Sequence, residues 1–155
     1  MRISFLVLAI VIGSVLVPDV ASAASCTAAN SITRVSNTSP AGAYEYVIFD
    51  LKTTSPNYHV NSKSPPFTFD PSDEPVMVAG NKFKKITFPS VYWMCTIPQL
   101  LSLPKIQVKD VKLTEQFEGM VSYIVGYKTA GQYLTTYHYT VTSTRSKVVM
   151  KFKKY

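Results

Sequence analysis

From Tyr44 onward the chain runs in short stretches that alternate apolar and polar positions. Tyr44 to Leu51 sets Val47, Phe49 and Leu51 on one side and Tyr46 and Ile48 on the other. A period of two is that of a β-strand, and apolar residues on both faces suit a central strand of a sandwich. Val76 to Ala79, stopped by Gly80-Asn81, and Phe83 to Phe88 read as further strands. Met120 to Tyr127 alternates Val121, Tyr123, Val125 and Tyr127 with Met120, Ser122, Ile124 and Gly126. In Tyr133 to Val141 the period places Tyr133, Thr135, Tyr137, Tyr139 and Val141 on one face, with Leu134, Thr136, His138 and Thr140 on the other. Lys147 to Phe152 sends Val148, Met150 and Phe152 inward and Lys147, Val149 and Lys151 outward.

The interruptions are as informative as the runs. Between Ile106 and Leu113 the apolar parity changes, which predicts a bulge near Lys109-Asp110. Glu118-Gly119 reads as a turn that glycine permits by tolerating positive φ. Pro65, Pro66, Pro71 and Pro75 exclude a helix from residues 61–75. Ile97 to Leu103 has room for one helical turn. Residues 24–43 are small and polar and read as a leader into the fold. The pattern predicts an all-β, antiparallel β-sandwich of seven to nine short strands over residues 44–155, with an antiparallel barrel as the other closure.

The first residues follow a different pattern. After Met1-Arg2, Ile3 to Val17 is nearly unbroken apolar sequence, ended by Pro18 and followed by Ala21-Ser22-Ala23. Basic, apolar and small regions in that order predict a cleaved signal peptide over residues 1–23. The run is about 15 residues, shorter than the roughly 20 of a membrane-spanning helix. Export changes the meaning of the net charge of +7. It favours anionic polymers, lipid headgroups or acidic glycans over nucleic acid. It also suggests that the two cysteines, Cys26 and Cys95, pair as a disulfide. Free thiols are the alternative, as is lipid attachment at Cys26, so membrane association is at most peripheral or lipid-anchored. With two histidines and no CxxC pair, neither a metal site nor a cofactor is expected.

Two stretches go beyond generic strand sequence. One is Tyr44-Glu45-Tyr46-Val47-Ile48-Phe49-Asp50-Leu51, preceded by Gly42 and followed by Pro56-Asn57-Tyr58-His59-Val60. The other is Phe117-Glu118-Gly119-Met120-Val121-Ser122-Tyr123-Ile124-Val125-Gly126, followed by the strand ending Arg145 to Phe152. In this order and spacing the chain resembles the AMIN-like domain of secreted and lipid-anchored bacterial proteins, over about residues 32 to 154. Tyr46 stands where that family usually has arginine, and Lys151 where it usually has aspartate. The segment Tyr92 to Pro104, with Cys95, is particular to this chain. The resemblance implies a β-sandwich without catalytic residues. AMIN domains proper direct cell-wall amidases and pilus secretins to peptidoglycan, so a cell-envelope ligand is implied by analogy.

Candidate chemistry is sparse. Asp110, Glu115 and Glu118 form the one carboxylate group near a clear strand; paired carboxylates can hydrolyse glycosides, but a structural role is the simpler reading. His59 and His138 are far apart, and His138 reads as a surface residue. Tyr133, Tyr137 and Tyr139 are either core or a stacking surface for sugar rings. Arg145, Lys147, Lys151, Lys153 and Lys154 crowd the C-terminus, with Lys82, Lys84 and Lys85 as a second group. They serve either as edge protection or as anion contacts. The function expected is a non-enzymatic envelope-binding module whose ligand contacts are Tyr133, Tyr137, Tyr139, Arg145, Lys147 and Lys151. The alternative is a module that binds another envelope protein through a sheet edge.

Overall fold

The computed structural model describes residues 25–129 and 131–155. The expected signal peptide and Ala130 lie outside the described residues. Eleven strands follow one another: β1 Ile32–Thr38, β2 Tyr44–Leu51, β3 His59–Lys63, β4 Thr68–Phe69, β5 Glu74–Pro75, β6 Lys82–Pro89, β7 Gln99–Leu100, β8 Val108–Phe117, β9 Met120–Tyr127, β10 Gln132–Thr142 and β11 Arg145–Lys153. One sheet has five strands in the order β10-β11-β2-β1-β7, another has four in the order β3-β6-β9-β8, and β4-β5 is a separate ribbon. Pairing is antiparallel except for β1 with β7.

The two large sheets pack face to face. Val35, Val47, Phe49, Met150 and Phe152 from the first meet Ile86, Phe88, Val121, Tyr123 and Val125 from the second, all fully buried. Phe49 lies 5.0 Å from Phe88 and 5.3 Å from Tyr123, ring centroid to centroid. Burying an aromatic side chain this way contributes about 2 kcal/mol or more from lost water contact alone. The inward residues of β2 and β11 are those their period of two predicts.

Three expectations need correction. The stretch taken as a leader contains β1, and Ile32 and Val35 are completely buried in it. A register shift between Ile32 and Arg34 breaks the alternation, so its two core residues stand three apart instead of two. Val76 to Ala79 is not a strand. It runs beside Gly126, where a side chain would strike the Ala79 carbonyl. Ile97 to Leu103 forms no helical turn; β7 joins the sheet there instead, with the Val35 amide donating to the Pro98 carbonyl at 2.9 Å.

Other expectations stand. The parity change in β8 is a register shift between Val108 and Asp110. Glu118 and Gly119 both have positive φ and join Phe117 to paired Met120 as a two-residue hairpin. Cys26 and Cys95 form a disulfide, so neither sulfur remains for an acyl chain.

Among the described residues, one side of the sandwich is covered by a further segment. Residues 64–81 lie across the outer face of the four-stranded sheet, with Phe67 against Phe83 at 5.0 Å and the Asp70 amide donating to the Thr114 carbonyl at 2.9 Å. Ser122, Ile124 and Thr114, which point outward from that sheet, are therefore buried. Among the described residues no comparable segment lies over the outer face of the five-stranded sheet, although Val149 on that face is itself only 3% exposed.

A candidate binding face

Because opposed residues in a ladder share a face, the pairing register fixes what the open side displays. One row across the sheet is Tyr139, Lys147, Asp50 and Arg34. The next is Tyr137, Val149, Ile48 and Ser36, followed by Thr135, Lys151, Tyr46 and Thr38, and then by Gln132, Lys153 and Tyr44. Arg145 stands at the hairpin end of the same strand face. The face thus presents four tyrosines and five cationic side chains against a single carboxylate.

At one end the face dips into a cleft of about 440 Å³ lined by Thr33, Arg34, Asp50, Val141, Arg145 and Lys147. Arg34 Nε donates to Asp50 Oδ2 at 2.7 Å, and Lys147 Nζ lies 3.3 Å from Oδ1. One carboxylate is shared by two cations here, so the cleft stays net positive, and Arg145 adds to it. At the other end Lys151 Nζ sits 3.8 Å over the Tyr44 ring, a cation–π contact that holds the ammonium without neutralising it. Tyr137 and Tyr139 are 40% and 47% exposed, with near-parallel rings 6.4 Å apart. Partial burial, and next the neighbouring Tyr46 and Tyr139, raise the Tyr137 phenol above its ordinary range. Its hydroxyl, like any phenol at physiological pH, is a neutral group that can donate a hydrogen bond.

Of the six expected ligand contacts, five lie together on this face: Tyr137, Tyr139, Arg145, Lys147 and Lys151. Tyr133 does not. A register shift between Tyr133 and Thr135 leaves Leu134 as an extra residue and reverses parity. Tyr133 therefore turns inward against Phe152 at 5.7 Å, with its hydroxyl 2.9 Å from the Thr136 hydroxyl and Lys84 Nζ 4.7 Å from its ring. The same shift exposes Tyr137 and Tyr139 instead of burying them, and a second, between Thr140 and Thr142, leaves Val141 unpaired at the edge of the cleft. Tyr44, Tyr46 and Arg34 join the face unforeseen. The alternation of β2 already set Tyr46 opposite Val47, whereas Arg34 was hidden in the supposed leader.

Most of the remaining candidates have structural partners. Asp110 Oδ2 accepts from the Ala79 amide at 3.2 Å. Glu115 Oε2 accepts from the Ser122 hydroxyl at 2.6 Å and lies 3.2 Å from Lys85 Nζ. Glu118 is at the hairpin tip, so the three carboxylates do not converge. His138 is exposed, its Nδ1 3.3 Å from the Tyr58 hydroxyl, and His59 opens β3 at the surface. Lys154 is largely buried, its ammonium donating to the Pro40 carbonyl at 2.8 Å. Among the described residues no group of three or more His, Cys, Asp or Glu is placed to hold a metal ion. No family model, curated protein or solved structure matches the chain.

Proposed function

We propose that this protein is an exported, non-enzymatic β-sandwich module that binds an anionic polymer of the bacterial cell envelope, either peptidoglycan or an acidic wall polymer. The observation that carries the reading is the asymmetry of the sandwich. One outer face is roofed by residues 64–81, while the other has no such roof among the described residues and displays four tyrosines and five cations around a centre of Ile48 and Val149. Flat phenol rings suit sugar rings, and their hydroxyls suit sugar hydroxyls. The cations along β11 supply attraction to a negatively charged chain.

Three further features support the reading. The signal-peptide pattern over residues 1–23 and the Cys26–Cys95 disulfide fit an oxidising compartment outside the cytoplasm. That location argues against nucleic acid as the partner. The AMIN-like resemblance points to the envelope. Its two departures, Tyr46 and Lys151, are opposed on the open face; a usual arginine–aspartate pair is there replaced by tyrosine and an unpaired charge, which makes the face more cationic.

Cosedimentation with purified sacculi at stepped salt concentration tests the proposal. Retention at low ionic strength that fades as the Debye length shrinks toward about 3 Å at 1 M is the expected result. Absence of retention at low salt overturns it.

A further inference from the structure

We infer that β10 is an interface between two copies of this chain. The two large sheets have four terminal strands. β7 is two residues long and β3 five, ending in Lys63. β8 is long but is broken by two register shifts and carries Lys109, Asp110, Lys112 and Glu115. Short length, bulges and charge are the usual guards of an exposed edge. β10 lacks the first and the third: it has eleven residues, Gln132 to Thr142, with no lysine, arginine, acid or proline. Its two register shifts sit near its ends, leaving Thr135 to Thr140 unbroken. Leu134, Tyr137, Tyr139 and Val141 are all at least 40% exposed along it.

The neutrality of β10 selects the occupant. An acidic or basic partner strand would meet no complementary charge on it, whereas a second β10 meets no like charge. Antiparallel pairing about a two-fold axis at Tyr137 sets Tyr137 opposite itself, Thr135 opposite Tyr139 and Thr136 opposite His138. Each pair keeps outer residues with outer and inner with inner, as a sheet requires, and aromatic with β-branched residues are favourable opposed pairs. The chain is strongly basic, but its repulsion does not forbid the contact. The lysine-bearing β11 strands of the two copies would stand three strand spacings apart, about 14 Å, beyond the screening length of roughly 8 Å at physiological salt. The result is an isologous dimer with one continuous ten-stranded sheet and two tyrosine rows side by side.

Sedimentation of the purified protein without wall material tests this independently of the polymer proposal. At about 100 µM, a hundredfold above a micromolar Kd, the expected mass is twice that of the chain. Tyr137→Lys, which opposes two ammonium groups at the axis, is expected to sediment as a monomer with an unchanged far-ultraviolet spectrum. Tyr137→Cys is expected to cross-link spontaneously, since opposed Cα atoms about 5 Å apart lie within disulfide range. Thr144→Cys, in the hairpin loop beyond the strand, is not. A monomeric wild type overturns the inference, as does a dimer that survives Tyr137→Lys or one in which Tyr137→Cys fails to cross-link.

Discussion

Glu45 is a charged residue at a core position. It is 1% exposed, and its Oε2 accepts from the amides of Gln107 at 2.9 Å and Val108 at 2.8 Å, while Oε1 accepts from the Ser39 hydroxyl at 3.2 Å. Those bonds tie β2 to the entry of β8, on the opposite sheet. Glu45→Ala strands two buried amides and is expected to cost about 2–4 kcal/mol in chemical denaturation; Glu45→Gln, which keeps an acceptor, should cost less than half of that. The period of two marks Glu45 as inward, with Val47 and Phe49, but its partners come from 62 and 63 residues away, so sequence alone gives no reason for its burial. Tyr123 is the converse case: its ring was legible as core, yet its buried hydroxyl has no hydrogen-bond partner among the described residues. Burial raises its phenol above the unfolded-state value near 10. The folded state thus holds the proton more tightly, and the associated stability is complete below pH 10 and lost as pH rises above it. Tyr123→Phe is expected to leave stability at pH 7 unchanged or slightly higher and to make unfolding less sensitive to alkali, read from denaturation midpoints at pH 8 and pH 11.

Among the elements, β10 and β1 show how a single extra residue defeats periodic reasoning. In β10 the tyrosines were legible as one face, but the extra Leu134 divides that face between core and solvent. In β1 the register shift places Ile32 and Val35 three apart, a spacing that no simple strand template contains. By contrast β2, β9 and β11 carry no extra residue themselves, the shifts in their pairings falling on β1, β8 and β10, and their alternation was read correctly. The Glu118-Gly119 turn was legible for its chemistry. Gly119 has φ +78°, and a Cβ there would meet only the Val91 carbonyl oxygen at an ordinary 3.9 Å, so Gly119→Ala is expected to cost about 1 kcal/mol from backbone conformation alone. Gly126 is different: a methyl group there meets the backbone of Ala79. Gly126→Ala should therefore loosen residues 64–81 from the sheet, detectable as faster amide exchange at Asp70 and Asn81, whose amides bond to Thr114 and Tyr127. Protection unchanged at both amides would contradict that account of the covering layer.

In the whole molecule, the two-sheet sandwich was legible, but which of its outer faces is open was not. That asymmetry depends on where a proline-rich stretch of weak pattern comes to rest, which is decided by tertiary contacts such as Phe67 on Phe83. The disulfide closes a loop with a sequence separation of 69 residues, and joint replacement of Cys26 and Cys95 by serine is expected to cost about 4 kcal/mol by chain entropy. The central claim is that the open five-stranded face, not net charge at large, holds an anionic envelope polymer. Its most direct test compares Lys147→Glu/Lys151→Glu with Lys63→Glu/Lys112→Glu, an equal charge change on the other sheet, in binding to purified sacculi. Reversal of two surface contacts on the face should weaken binding at least about tenfold, and the control should stay within about twofold of wild type. Equal losses in the two variants, or no loss from the first, would contradict the claim.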